Sequence, residues 1–356
     1  MSYAKSVHGS QQHNDDSHEI AQETLIVLES FRPPGVRTNP YLIRLFDSLP
    51  PQIHPRHFSW RCALFEPFDV FHLHWPEHLV RGSSPLRTVF RCCAFFLLLL
   101  RIRLSRAALV RTLHNQIPHE PGNLIQTWLI ELSSRWTTLW ITLNDFDVPP
   151  TSAAQIHAPL GHYCADGHPI SQEHRTAGRL IHFGHVRRYK GIDSLLTAFA
   201  ETTSSDLSLH ILGETQDQGL LKEIQLAERN DPRVAWNNCF VTQEQLIAEV
   251  LAAELAVLPF NEVTNSSSVI FALSFERPVL IPAGRLAQEL ANEVGPRWVH
   301  TYEPPLLGSA IESTLELLME TWPEQSPNLA SREWKRIGRL HAEAFFQAHR
   351  LARRTR

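Results

Sequence analysis

The chain is 356 residues long, 43% hydrophobic and 20% charged, too apolar for a disordered protein and, at about 100–200 residues per domain, long enough for two cores. Its 33 basic and 37 acidic residues leave a net charge of −4, which excludes the global basic field of a nucleic-acid binder.

Residues 1–22 read as a polar tail, with no apolar stretch of the kind a secretory signal carries. Residues 24–28 (TLIVL) predict a buried strand, 32–40 a turn-rich loop and 41–49 a helix. Residues 70–74, 109–113 and 139–143 are further short apolar runs that end in polar residues. Strand, polar loop, helix and strand in succession predict a doubly wound parallel sheet, whose ligands lie beyond the C-terminal strand ends. Asn39, His74 with Glu77, and His114 with Asn115 all follow such runs. Between Glu77 and Glu120 there is no acid, yet Arg81, Arg87, Arg91, Arg101, Arg103, Arg106 and Arg111 occur there, around the apolar run 92–100. That run is too short to span a bilayer, which takes ~20 residues. Five cysteines, Cys62, Cys92, Cys93, Cys164 and Cys239, form no CxxC pair, so a reducing compartment is expected rather than a disulfide scaffold. Residues 164–178 predict a polar linker, after which the pattern restarts. Strands are expected at 180–183, 207–212, 255–259 and 278–281, and helices at 192–200, 243–253 and 269–275. Residues 331–350 place Trp334, Ile337, His341, Ala344, Phe345 and Ala348 at three- and four-residue spacing, an amphipathic closing helix capped by Ser331. The organisation predicted is an α/β protein: a tail over 1–22, Rossmann-like domains over 23–165 and 179–330 facing each other across a cleft, and a closing helix over 331–350.

Two loops of the second domain suit an anion. Gly184 to Gly191 follows a strand and precedes a helix, and it carries Arg187 and Lys190, one of only four lysines in the chain. Glycines let backbone approach a ligand, and the two cations can neutralise a diphosphate; an ordinary turn with solvated bases is the plainer alternative. Asn265, Ser266, Ser267 and Ser268 precede the helix at 269 and offer hydroxyls beside its positive end, or a simple serine cap. In the first domain, His72 and His74 alternate along a strand, so one of them is expected to be structural, and His72 is the better candidate for that role. Glu77 and Glu120 are candidate general bases for a hydroxyl. No HExxH or Cys/His spacing supports a metal site, and there is no GxSxG, Walker A or early GxGxxG.

At these residues the chain resembles a GT-B nucleotide-sugar glycosyltransferase, and within that class the β-mannosyltransferases that complete the xanthan pentasaccharide on its lipid carrier. The resemblance rests on Thr38 to Leu42, His72 to Glu77, Arg111 to Asn115 with Pro118 to Glu120, and Phe183 to Gly191. It continues through Asn265-Ser266, Arg277 to Leu280, Glu293 to Pro296 and Trp334 to His341. It implies GDP-mannose as donor and inversion at the anomeric carbon. It implies as acceptor a polyprenyl-diphosphate oligosaccharide ending in glucuronate. It also implies no metal or other cofactor, and a cytoplasmic enzyme held peripherally at the inner membrane. Arg187 and Lys190 fall where such transferases hold the donor diphosphate, with Gly184 and residues 265–268 beside them, and His114 falls where relatives place a histidine against the donor sugar. Asn39, Tyr41, His74 and Trp75 are expected at the acceptor side of the cleft. Retaining relatives carry paired glutamates near the helix at 269, in slots held here by Val263 and Phe271. Ser267 stands where the family pattern has glycine. Another hexosyl- or glycuronosyltransferase of exopolysaccharide assembly, or a silent subunit that docks a glycan or lipid, are the alternatives. Because a polyisoprenyl acceptor stays in the bilayer, Arg87, Arg91, Phe95, Phe96, Arg101 and Arg103 are expected to face anionic lipid. The same stretch also reads as a core helix framed by arginines.

Overall fold

The computed structural model describes residues 23–114, 122–164, 175–260 and 266–354. The apolar runs form two six-stranded parallel sheets. In the first, β1 (Leu25–Glu29), β2 (Ile53–Arg56), β3 (Val70–Leu73), β4 (Ala108–Leu113), β5 (Leu139–Thr142) and β6 (Ala154–His157) lie in the order β2-β1-β3-β4-β5-β6. Its helices are α1 (Pro40–Ser48), α2 (Trp60–Phe65), α3 (Glu77–Val80), α4 (Pro85–Leu104) and α5 (Leu124–Arg135). β3 and β5 are buried at every residue. A parallel sheet is covered on both faces, which is why its central strands read as unbroken apolar runs.

The second sheet contains β7 (Arg179–Phe183), β8 (Ser208–Leu212), β9 (Val234–Asn237), β10 (Leu255–Val257), β11 (Val279–Pro282) and β12 (Val299–Tyr302), ordered β12-β11-β10-β7-β8-β9. It carries α6 (Ile192–Glu201), α7 (Gln218–Asn230), α8 (Gln243–Ala252), α9 (Ser267–Ser274), α10 (Arg285–Val294) and α11 (Gly308–Glu320). The strand order reverses between β1 and β3 in one sheet and between β7 and β10 in the other. Ligand crevices of doubly wound sheets open at such points, beyond the strand C-termini.

The last helix, α12 (Trp334–Arg354), returns the chain to the first sheet, where Ala344, Phe345 and Ala348 are buried with Val27, Val70 and Val110. Ser331 is not its cap. Residues 330–332 form a separate turn in which the Ser331 hydroxyl donates to the Glu293 carboxylate. Arg332 pairs with the same carboxylate at 2.6 Å and donates to the Leu160 carbonyl at 3.0 Å. The ion pair claims the serine, and the helix begins at Trp334, whose indole donates to the His162 carbonyl at 2.6 Å. Further contacts join the halves: the Tyr163 amide donates to Ser274 Oγ at 2.8 Å, and Arg37 pairs with Glu214 at 2.7 Å beneath the Phe240 ring. Among the described residues no helix is long and apolar enough to cross a membrane.

Candidate active site

Three strands of the first sheet end in a single polar cluster. Glu29 closes β1 and is fully buried; His72 lies on β3, His74 just beyond it, and His114 just beyond β4. His72 Nδ1 donates to Glu29 at 2.9 Å, and its Nε2 meets Thr112 Oγ1 at 2.8 Å. His74 Nε2 lies 3.3 Å from the same carboxylate, and its Nδ1 lies 3.0 Å from His114 Nε2. From α12, His341 Nδ1 donates to the Ile337 carbonyl at 2.9 Å, and the Tyr41 hydroxyl reaches its Nε2 at 3.5 Å. Burial works to raise the Glu29 carboxyl, but attraction to His72 and hydrogen bonds from His72 and His74 outweigh it and hold Glu29 at about 2. Burial, with the neighbouring His72, pulls His74 down to about 4 and His341 to about 3, and burial with His74 and His72 sends His114 well below the ordinary value. At neutral pH the cluster therefore holds an ionised carboxylate and neutral imidazoles at 74, 114 and 341. His72 is the structural one, as expected, fully buried with both ring nitrogens bonded, while His74 lines the neighbouring cavity; being two apart they share a strand face, and both reach Glu29. Glu29, His72 and His74 are, among the described residues, the group with three metal-type ligand atoms within 4.8 Å of one another, but those atoms already bond to one another.

In the second half, two loops meet. Gly184 has a φ of +108°, and a Cβ there would lie 2.9 Å from Lys190 Nζ and 3.5 Å from Ser268 Oγ. Gly191, at φ +70°, passes so close to Pro259 that a Cβ would fall 1.8 Å from its carbonyl oxygen. Only glycine satisfies both the left-handed backbone and this approach. Burial, with Arg187 nearby, draws Lys190 down to about 8. Ser266 caps α9, accepting from the Val269 amide at 3.3 Å, so the helix begins at Ser267 rather than at 269. Ser267 is exposed and Ser268 buried. Lys190 and Ser268, in the first turn of α9, thus meet at Gly184, with the exposed Arg187 near Lys190. Arg188 instead turns to its own domain, pairing with Asp217 at 3.2 Å and Glu223 at 2.8 Å. Asn265 and Glu120 lie outside the described residues.

Asn39 caps α1, its Oδ1 accepting from the Tyr41 amide at 3.0 Å. With Arg32, Arg37, His74, Trp75 and His185 it lines a cavity of about 450 Å³. Trp75 stacks on His114 with ring centroids 4.1 Å apart. Tyr41, expected in the cleft, is instead buried beneath the histidines, because α12 covers it. Glu77 is half-buried in the first turn of α3, where its charge acts on Arg111, and it is not among the described residues lining that cavity.

The stretch expected at the membrane divides by helix face. Phe95 is fully buried in the core. Arg101 closes the end of α2, donating to the Ala63 carbonyl at 2.6 Å, and Arg91 donates to the carbonyls of His78 and Arg81. These three are corrections: a helix laid on a sheet must bury one stripe, and its flanking cations cap neighbouring helices. Arg87 and Arg103 are exposed, as are Leu86, Val89, Phe90, Phe96 and Leu97. Glu29 and His341 escaped the sequence reading. The only signals for them were an acid closing an apolar strand and a histidine within the apolar stripe of the last helix.

Two doubly wound sheets joined by a returning C-terminal helix, with a glycine-bounded Lys190 loop on one and a polar cluster at the strand ends of the other, define a GT-B glycosyltransferase. Anabaena HepE in complex with UDP has this fold, with a TM-score of 0.56 and 13% identity over 93% of this chain and 99% of that one. So does sucrose-phosphate synthase from Thermosynechococcus elongatus, with a TM-score of 0.57 and 13% identity over 93% and 97%. No protein-family model matches the chain. The GDP-mannose:glycolipid 4-beta-D-mannosyltransferase of Xanthomonas campestris pv. campestris is 36% identical over 330 residues, covering 92% of this chain and 94% of the relative. The chain belongs to this mannosyltransferase family.

Proposed function

We propose that the protein transfers mannose from GDP-mannose to a polyprenyl-diphosphate oligosaccharide ending in glucuronate, with inversion at the anomeric carbon, in assembly of a xanthan-like exopolysaccharide. The observation that carries this reading is the 36% identity, over nearly the whole chain, to a relative of that name. The cradle of Lys190, Arg187 and the α9 terminus supports it on the donor side. Preorganised cations and amides can stabilise the departing diphosphate, so the reading calls for no metal and no further cofactor. On the acceptor side, the cavity beside His74 is lined by Arg32, by Arg37, which pairs with Glu214, and by Arg91, which donates to the His78 and Arg81 carbonyls, with no carboxylate among its described lining; this basic lining suits an anionic sugar. Inversion requires a base for the acceptor hydroxyl. Glu77 and His114 are the candidates among the described residues of the first half, beside Glu120 from the sequence, and a Glu77→Gln variant that binds GDP but transfers nothing would assign it to Glu77.

The acceptor's lipid keeps the reaction at a bilayer, which in this reading is the cytoplasmic face of the inner membrane. Exposed Leu86, Val89, Phe90 and Leu97, with Arg87 and Arg103, support a peripheral contact of α4 with anionic lipid, each cation near the surface adding ~1 kcal/mol. Replacing Arg87 and Arg103 by glutamine should lower sedimentation with anionic liposomes at low salt; unchanged binding would move the anchor elsewhere. The functional reading is tested by incubating the protein with radiolabelled GDP-mannose, other nucleotide sugars and lipid-linked acceptors. Label should reach the glycolipid from GDP-mannose alone. Transfer from a different donor, or none with unmeasurable GDP binding, would overturn it.

A further inference from the structure

The buried cluster has a direction. Glu29 is ionised, and an ionised carboxylate only accepts hydrogen bonds. His74 must therefore carry its proton on Nε2, which lies 3.3 Å from Glu29. A neutral imidazole with its proton on Nε2 has a lone pair on Nδ1, and that Nδ1 lies 3.0 Å from His114 Nε2. His114 must then carry its own proton on Nε2. Its Nδ1 is left with a lone pair and, among the described residues, no hydrogen-bond partner. His72 takes the other side of Glu29 and is satisfied by Thr112, so it pins the carboxylate without joining the line. Trp75, stacked on the His114 ring, holds the plane, and Tyr41 meets the ring edge-on with centroids 5.7 Å apart. Glu29, His72, His74 and His341 are buried, whereas His114 is half-buried and is the most exposed imidazole of the cluster.

We propose that His114 is the general base of the transfer, and that Glu29 and His74 are positioning residues that fix its tautomer and balance the charge it gains. The inference rests on the functional reading above. The acceptor hydroxyl gives its proton to His114 Nδ1 while its oxygen bonds to the anomeric carbon. The bond from that carbon to the donor phosphate breaks, its electron pair leaving with GDP. The imidazolium so formed donates through Nε2–H to His74, whose own Nε2–H faces the Glu29 carboxylate, and it returns its extra proton to solvent after product leaves. Glu77, whose charge acts on Arg111, is not part of this line and takes no part.

The test uses the full chain with GDP-mannose and the lipid-linked acceptor. His114→Gln should lower kcat by ~10²–10⁴-fold, the usual contribution of general base catalysis, while GDP affinity by titration calorimetry stays within about twofold, as for a residue outside the anion cradle. Glu29→Gln should lower kcat by at least about tenfold with the donor KM nearly unchanged, since it keeps shape but removes the charge that stabilises the imidazolium. Should Glu29→Gln fail to fold, nitrogen-15 spectra of histidine in the wild type test the same geometry: protons are expected on Nε2 of His74 and His114, and none on His114 Nδ1. An active wild type whose His114→Gln variant keeps its kcat, or a proton found on His114 Nδ1, overturns the relay alone. A wild type that transfers nothing from GDP-mannose defeats the functional reading, and the base with it.

Discussion

The two halves share a parallel, doubly wound plan and use their switch points in opposite ways. At the first, Glu29 is buried and bonded to the buried His72 and His74, His341 is buried beside them, and α12 closes over the group. At the second, Arg187 is exposed and Lys190 half-buried, beside glycines that leave room for a ligand. Burial fixes tautomers and strengthens each interaction before any substrate arrives, which suits moving a proton. In the proposed reading the second half holds a diphosphate, which asks for the reverse, cations that a ligand can reach. The contrast teaches that a change in the first half should register in stability and turnover, and one in the second half in ligand affinity.

The largest test of that division is Glu29→Ala. Removing the carboxylate from a buried ionic cluster is expected to destabilise the fold by ~3–5 kcal/mol, seen as a large fall in the denaturant midpoint. A loss below about 1 kcal/mol would show that the first site is no more preorganised than the second. Lys190→Ala should do the opposite, weakening GDP by about 1.5–3 kcal/mol with little change in the midpoint. Acid sharpens the comparison. His74 and His341, held at about 4 and 3 in the folded chain, gain protons on unfolding once the pH falls below the ordinary 6.5. Stability should thus be full above 6.5 for these groups and fall toward pH 4, each contributing roughly 1.4 kcal/mol per unit. Glu29, lowered from 4.5 to about 2, should add its own loss below 4.5. Donor binding should respond at the other end of the scale: with Lys190 at about 8, GDP affinity should decline as the pH rises through 8 and the ammonium is lost. The smallest effect belongs to Arg188→Ala. Arg188 is exposed and tied to Asp217 and Glu223, so GDP affinity should not change measurably.

The sheets were legible because buried parallel strands leave unbroken apolar runs between polar turns, and the 184–191 loop was legible because its glycines bracket a rare lysine. Glu29 was not, since a carboxylate at a strand end carries the same letter whether it meets water or two imidazoles. Tyr41 was misplaced because its surroundings come from α12, with His341 some 300 positions away in the chain. Phe95 and Phe96 could not be told apart, because residues 92–100 are apolar all round and show no period to mark the buried stripe; the structure buries the first and exposes the second. Arg91 and Arg101 read as surface charge, but the carbonyls they cap belong to helices whose placement only the tertiary fold decides.

The central claim is an inverting mannosyl transfer, with charge held by the second half and the proton taken by the first. It is tested most directly by the anomeric configuration of the product. The wild-type protein is incubated with GDP-mannose and the lipid-linked acceptor, and the new glycosidic bond is examined by the one-bond carbon–hydrogen coupling at the mannose anomeric carbon. A β-linked mannose is the predicted result; an α-linked mannose would contradict inversion and, with it, the need for the base.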